Sequence, residues 1–148
     1  MARRSSRRTT TLTGFDEATA CPCGLGRPYG ECCGPAHRGH PPATAEGLMR
    51  SRYAAFVLDD AAYVLGSWHP DTRPAAVEPD AGLRWTRLEV LETSGGGLFD
   101  AEGVVEFRAH YRDAGRPGDM QESSRFVRYD GQWVYWGPLL TDEALANI

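Results

Sequence analysis

The sequence predicts an α+β protein: a small cysteine-built knuckle, then helices, then a curved antiparallel sheet. Three observations carry this. All four cysteines fall between positions 21 and 33. Apolar residues recur at helical spacing over positions 44–68, and from position 83 they alternate as in strands. Helices first and antiparallel strands after is the α+β order.

The chain opens on MARRSSRR, with four arginines in eight residues and almost nothing to bury. No apolar stretch follows the paired arginines, so they do not read as an export signal. Residues 1–18 are expected to form a disordered basic tail.

Next comes CPCGLGRPYGECC, holding Cys21, Cys23, Cys32 and Cys33. Thiols crowded so closely are not a distributed disulfide framework. They suit one tetrahedral cage for Zn²⁺, which takes four soft ligands close together. A bond between the adjacent Cys32 and Cys33 would also need a strained peptide. Pairing two thiolates one residue apart with two adjacent ones requires a chain reversal, which Gly24, Gly26, Pro28 and Gly30 supply. His37 and His40 could each replace a cysteine, but four thiols already complete the coordination. Both histidines are therefore expected to be solvated or to cap a turn.

GPAHRGHPP is a proline- and glycine-rich joint that sets a boundary near Thr44. Thr44 can cap a helix, Glu46 suits its positive end, and Met49, Tyr53, Phe56 and Val57 share one face. Asp59 and Asp60 mark a break and a second start. Ala61, Ala62, Val64, Leu65 and Trp68 fill a shorter helix ending before Pro70.

Among the strands, Leu83–Thr93 changes parity between Trp85 and Leu88, which predicts a β-bulge. Ser94–Gly97 reads as a loop. Glu102–Arg112 alternates cleanly, with Val105, Phe107, Ala109 and Tyr111 on one side and Glu106, Arg108, His110 and Arg112 on the other. Asp130-Gly131 is a two-residue hairpin signal. Its register would set Val127 across from Val134 and Arg125 across from Trp136, with Glu122, Phe126, Arg128, Trp133 and Tyr135 on the opposite face.

Composition narrows the function classes. No run of eighteen apolar residues exists, so no membrane span is predicted. Net charge is −4, and setting aside the four tail arginines leaves a body twice as negative. That is a poor footprint for nucleic acid, which is expected to be touched only through the tail or on a ribosome. The chain shows no Ser-His-Asp or Cys-His arrangement and no phosphate loop, which favours a non-enzymatic role. The candidate polar groups of a cavity are His69, Glu122 and Arg125, with Tyr53, Trp68, Trp85 and Trp136 as candidate walls. Each also has a structural reading. His69 can bond a free carbonyl at a helix end, and Arg125 can hold the hairpin through a cation–π contact with Trp136. His110, on the charged side of its strand, is expected to be solvated.

The pattern C-P-C-G-x-G-x-x-Y-x-x-C-C resembles the SEC-C motif, the zinc-binding module also found at the end of the SecA translocation motor. The resemblance implies Cys21, Cys23, Cys32 and Cys33 as ligands and Tyr29 as the packing aromatic; Leu25 stands where the module usually has serine. RSRYAAFV (Arg50–Val57), WHPDTRP (Trp68–Pro74), ESSRF (Glu122–Phe126) and GQWVYWGP (Gly131–Pro138) extend it. Together these stretches are similar to the YchJ-like family. That implies a SEC-C-like module over 19–40 and a nuclear-transport-factor-2-like cone over 44–141. By resemblance the protein is a cytoplasmic zinc protein with a structural metal. Its module is expected to dock a protein partner in translation, export or quality control. The alternative is a small-molecule binder, or a lyase or isomerase, using the cone's cavity with Glu122 or His69 as its polar group.

Overall fold

A computed structural model describes residues 15–78 and 81–139. The first fourteen residues of the expected tail, and the last residues of the expected cone, lie outside the described ones. Among the described residues three α-helices, α1 (Gly34–His37), α2 (Ala45–Val57) and α3 (Ala61–Gly66), precede four strands. The strands are β1 (Leu83–Gly95), β2 (Glu102–Asp113), β3 (Arg116–Tyr129) and β4 (Gln132–Pro138), paired antiparallel in sequence order.

The helix starts follow local chemistry. Thr44 Oγ1 accepts from Gly47 N at 3.0 Å, satisfying one free donor of the first turn of α2. Asp60 does the same for α3, accepting from Tyr63 N at 3.1 Å. α2 buries Leu48, Met49 and Tyr53 against the concave face of the sheet, where Leu88, Val105, Phe107, Ala109, Phe126, Trp133 and Tyr135 complete one core. Phe56, placed on the apolar face by its spacing, is 36% exposed. α3 is shorter than the spacing predicts: it stops at Gly66, and Trp68 lies beyond it in extended chain.

That extended segment closes one edge of the sheet. Trp68 bridges Tyr135 in parallel, with Tyr135 N donating to Ser67 O at 2.9 Å and His69 N donating to Tyr135 O at 2.8 Å. The outer edge of β4 therefore does not stand open to another chain along this stretch.

Both turn signals at the sheet ends use positive φ at two consecutive residues. Asp130 and Gly131 have φ of 51° and 79°, the two-residue hairpin geometry predicted from Asp-Gly. Ala114 and Gly115, at 51° and 86°, make a second such turn, and the sequence reading assigned no strand to Arg116–Gln121 behind it. Pro117 is tolerated there because this half of β3 pairs with β2 alone, β4 joining only from Ser124.

The predicted bulge in β1 falls between Trp85 and Arg87, and a second register shift lies between Val90 and Glu92. β1 also runs on to Gly95, so only part of Ser94–Gly97 is loop. A third shift, between Arg125 and Phe126, corrects the hairpin register. Val127 pairs with Val134 as expected, but Arg125 lies across from Gly137, not Trp136.

The turn between β1 and β2 brings two glycines into near contact. A Cβ on Gly103 would stand 2.5 Å from Gly96 Cα and 2.7 Å from Gly96 N. These are backbone atoms, and Ala45 N is tied to Gly96 O at 2.9 Å, so the start of α2 cannot yield freely. Gly103→Ala is expected to destabilise by about 1–3 kcal/mol, the range for overpacking a closed site. Thermal melting of the purified variant checks this.

Candidate metal centre and cone cavity

The knuckle forms because its polar backbone closes on itself over a short loop. Cys21 N donates to Arg27 O at 2.9 Å and Tyr29 N to Thr19 O at 2.8 Å, joining the arms of a reversal. Gly24 and Gly26 both take φ of +87°, and a Cβ at either would meet open space, so backbone conformation rather than crowding calls for glycine. A single 3-10 turn at Tyr29–Glu31 then returns the chain, and Cys33 stands at the head of α1.

The outcome is that the four sulfurs lie within 4.8 Å of one another, Cys23 and Cys32 being 3.4 Å apart. Four Zn–S bonds of about 2.3 Å in a tetrahedron would separate sulfurs by about 3.8 Å, inside this range. All four cysteines are free thiols and three are buried. So close together they cannot all ionise alone. Donation from its neighbours holds the Cys23 thiol far below its usual range, while burial pushes Cys32 up to about 12. Cys33, hydrogen-bonded to Cys21 and Cys23, is also pushed up. Only an added cation can stabilise four thiolates here. The donor set suits a metal ion.

The knuckle is bolted to the cone. Cys21, Cys23, Tyr29 and Cys33 pack with fully buried Ala54 of α2, flanked by Phe15 and Leu58. Arg50 donates to Cys23 O at 3.0 Å while held by Glu46 at 2.9 Å. His37, expected to be solvated or to cap a turn, instead spans the joint. Its Nε2 donates to Ser51 O at 2.8 Å, and this bond fixes the tautomer so that Nδ1 accepts from Tyr29 OH. Burial holds His37 below its ordinary pKa, in the neutral form this relay needs. Residues 15–18, assigned to the tail, belong to the knuckle: Phe15 meets Tyr29 edge-on at 5.1 Å and Glu17 pairs with Arg38 at 3.1 Å.

A second concave feature lies between α2, Trp68 and the sheet. This cavity of about 200 Å³ is walled by Met49, Tyr53, Phe56, Trp85, Phe107, Met120 and Phe126, with Arg52, Trp68, Glu122, Ser124 and Tyr135 as its polar groups. Glu122 Oε2 accepts from Ser124 Oγ at 2.6 Å and from Tyr135 OH at 2.8 Å. Arg52 is 5% exposed and donates through NH1 to Val64 O at 2.8 Å and Ser67 Oγ at 2.7 Å. Its guanidinium lies over the rings of Tyr135, at 4.4 Å, and Trp68, at 4.9 Å. Burial lowers Arg52 to about 10, which leaves it charged at neutral pH. Burial also raises Tyr53, to about 12, and Tyr135, so both are neutral donors rather than bases.

The sequence-derived candidates thus separate into two groups. Glu122, Tyr53, Trp68 and Trp85 line the cavity. His69, Arg125 and Trp136 do not. His69 meets the rings of Tyr129 and Trp136 edge-on at 5.0 and 4.8 Å, and its Nδ1 accepts from Asp71 N at 3.0 Å. Alternation along an extended segment puts Trp68 and His69 on opposite sides, so only one could enter. Arg125 lies 5.9 Å over Trp136, and donates to Glu102 at 2.7 Å. His110, expected in solvent, pairs with Glu89 at 2.6 Å. Arg52 and Tyr135 were missed as site residues. Arg52 sits three residues from Met49, on the same side of α2, and that spacing was the available signal.

Comparison with known proteins finds two matches to protein families. Residues 44–138 match the YchJ middle NTF2-like domain, and residues 19–35 match the SEC-C motif. A UPF0225 protein of Streptomyces coelicolor is 54% identical over 116 residues, covering 78% of this chain and 90% of the relative. Another from Deinococcus radiodurans is 48% identical, over 78% and 85% of the two chains. The solution structure of a SEC-C motif containing protein from Rhodopseudomonas palustris superposes with a TM-score of 0.72 at 33% identity, covering 84% of this chain and all of that one. A crystal structure of a second such protein, from Psychrobacter arcticus, gives 0.65 at 27% identity, over 84% of each.

Proposed function

Because the chain belongs to the YchJ-like, UPF0225 family and brings four free thiols of its SEC-C segment together, we propose that it is a zinc protein. The metal is structural and its ligands are Cys21, Cys23, Cys32 and Cys33. The observation that carries this is the set of four sulfurs within 4.8 Å, a soft donor set that by itself fills the four positions of a structural zinc site. Binding would discharge at least the raised thiols of Cys32 and Cys33, so zinc uptake releases protons. Metal analysis of the purified protein is expected to return about one zinc per chain. Adding zinc to metal-free protein in weak buffer is expected to acidify it. Purified protein with intact thiols, normal folding and no metal would overturn the reading.

The knuckle, so stiffened, is the part proposed to dock a protein partner in the cytoplasm, in translation, export or quality control. What supports it is the tip Gly24–Arg27, held out by the cage and exposed, with Leu25 44% accessible. Leu25→Asp leaves every ligand in place. Loss of a defined partner with this variant, at unchanged zinc content, is the expected result of comparative co-purification; an unchanged partner set removes the tip from the docking surface.

A second reading has its own support. Glu122 and the buried Arg52 stand at one apolar cavity, the arrangement of a small-molecule site: mostly apolar walls with a few fixed polar groups. On this reading the cone binds a ligand while the knuckle serves as its brace.

A further inference from the structure

The two edges of the sheet end differently. Residues 67–69 close the outer edge of β4, whereas β1 pairs with β2 on one side and with no described residue on the other. β1 is 13 residues long. Unpaired backbone donors and acceptors along such an edge are a template for another strand.

Charges and bulges commonly blunt an edge, and β1 has both. Their order selects one partner. Trp85, Leu88 and Val90 face the core, and the register with β2 puts Arg84, Arg87, Glu89 and Glu92 on the other face, across from Arg112, His110, Arg108 and Glu106. Two basic residues thus precede two acidic ones, placed one and four positions on either side of Leu88. An identical strand laid antiparallel about Leu88 would therefore set Arg87 against Glu89 and Arg84 against Glu92 in a single register. The two register shifts, after Trp85 and after Val90, fall on either side of this centre and leave residues 87–90 straight. A parallel copy in register would set like charges together, which is unfavourable. The outer pairs matter most. Arg87 and Glu89 already lie 3.6 Å apart within one chain, and Glu89 also holds His110 at 2.6 Å. Arg84 and Glu92 are exposed and have no ion-pair partner among the described residues.

We propose that the β1 edge is occupied by a second copy of this chain, β1 pairing antiparallel with β1 across a twofold axis at Leu88. Two four-stranded sheets then join into one, and each copy's Arg84 faces the other's Glu92, the reciprocal contact of a twofold interface. A single strand pair buries little surface, so the dimer is weak and sensitive to salt.

The test is sedimentation equilibrium of the full, zinc-loaded chain from micromolar to millimolar concentration, at low and high salt. The wild type is expected to show a monomer–dimer equilibrium that weakens with salt, and the amides of residues 84–92 should exchange more slowly as concentration rises. Arg84→Glu and Glu92→Arg each turn two attractive pairs into two repulsive ones, and each should weaken the dimer by at least about fivefold. Mixed in equal amounts, the two variants should pair with one another, since one carries acid at both positions and the other base at both. The double variant Arg84→Glu, Glu92→Arg exchanges the signs and should recover the wild-type affinity. A chain that stays monomeric to millimolar concentration overturns the proposal and leaves the edge to an extended segment of another protein. A dimer that both single variants leave intact, or that gives residues 84–92 no protection, uses another surface and overturns it equally.

Discussion

Cys33→Ser is expected to cost the protein its metal and its knuckle together. Serine offers a harder, weakly acidic oxygen, so the remaining three thiolates hold zinc far less tightly. Little else keeps residues 15–40 folded. Apart from the cysteines the knuckle cluster contains only Phe15 and Tyr29 of its own, closing on Ala54 and Leu58. In small modules of this kind metal binding supplies on the order of 10 kcal/mol of folding free energy. The loss then spreads to α2. Ala54 is fully buried beneath the cage, and Arg50 and Ser51 lose the contacts to Cys23 O and His37. The expected result is zinc content well below one per chain and a lower, broader melting transition. The far-ultraviolet signal of the sheet should be largely kept, because the cone has its own core. A chelator added to the wild type should reproduce the same change, and zinc should reverse it. A Cys33→Ser protein with full zinc and an unchanged melt would remove Cys33 from the ligand set.

What could be read from the sequence was what short stretches of chain decide. The cage needs only a reversal between Cys23 and Cys32, and Gly24 and Gly26 announce it. Thr44, Asp60 and Asp130-Gly131 act on their own next few residues, so the helix starts and the hairpin followed directly. The register of Arg125 did not, because a turn fixes pairing only as far as the first bulge, and one falls between Arg125 and Phe126. The division of Trp68 from His69 depends on residues 67–69 joining the edge of β4, a contact between segments far apart in sequence. His37 reads as a surface residue beside a cage, and only the docking of α1 on α2 buries it between Tyr29 and Ser51. Arg52 escaped for the same reason. An arginine in a helix is ordinarily a solvated residue, and its burial arises only where α2, α3 and β4 close on one another.

That closure makes Arg52 the residue of the cone whose truncation should be most damaging. α3 is a helix of six residues, and its end presents Val64 O, to which both Arg52 NH1 and Ser67 Oγ donate. A cation is favoured at a helix C-terminus, where free carbonyls point outward. From Ser67 the chain goes directly to the bridge with Tyr135, so one guanidinium ties α2 to α3 and to the edge of the sheet. Arg52→Ala removes these bonds, leaves Ser67 Oγ without its donor, and opens space beside Trp68 and Tyr135. A loss of about 3–5 kcal/mol is expected, the range for breaking a buried charged network. Arg52→Lys keeps the charge but not the planar fork that lies over two rings, and should recover only part of it. Arg52→Met fills the space without a charge to desolvate. Its loss should be clearly smaller than that of Ala, since an apolar group of similar volume can replace a buried ion at little net cost. Urea unfolding of the three variants ranks them. Arg52→Met matching Arg52→Ala would mean that the bonds to Val64 and Ser67, not the filled volume, hold the cone closed. Arg52→Ala within 1 kcal/mol of the wild type (about a fifth of the upper expectation) would show that the closure does not depend on Arg52 at all.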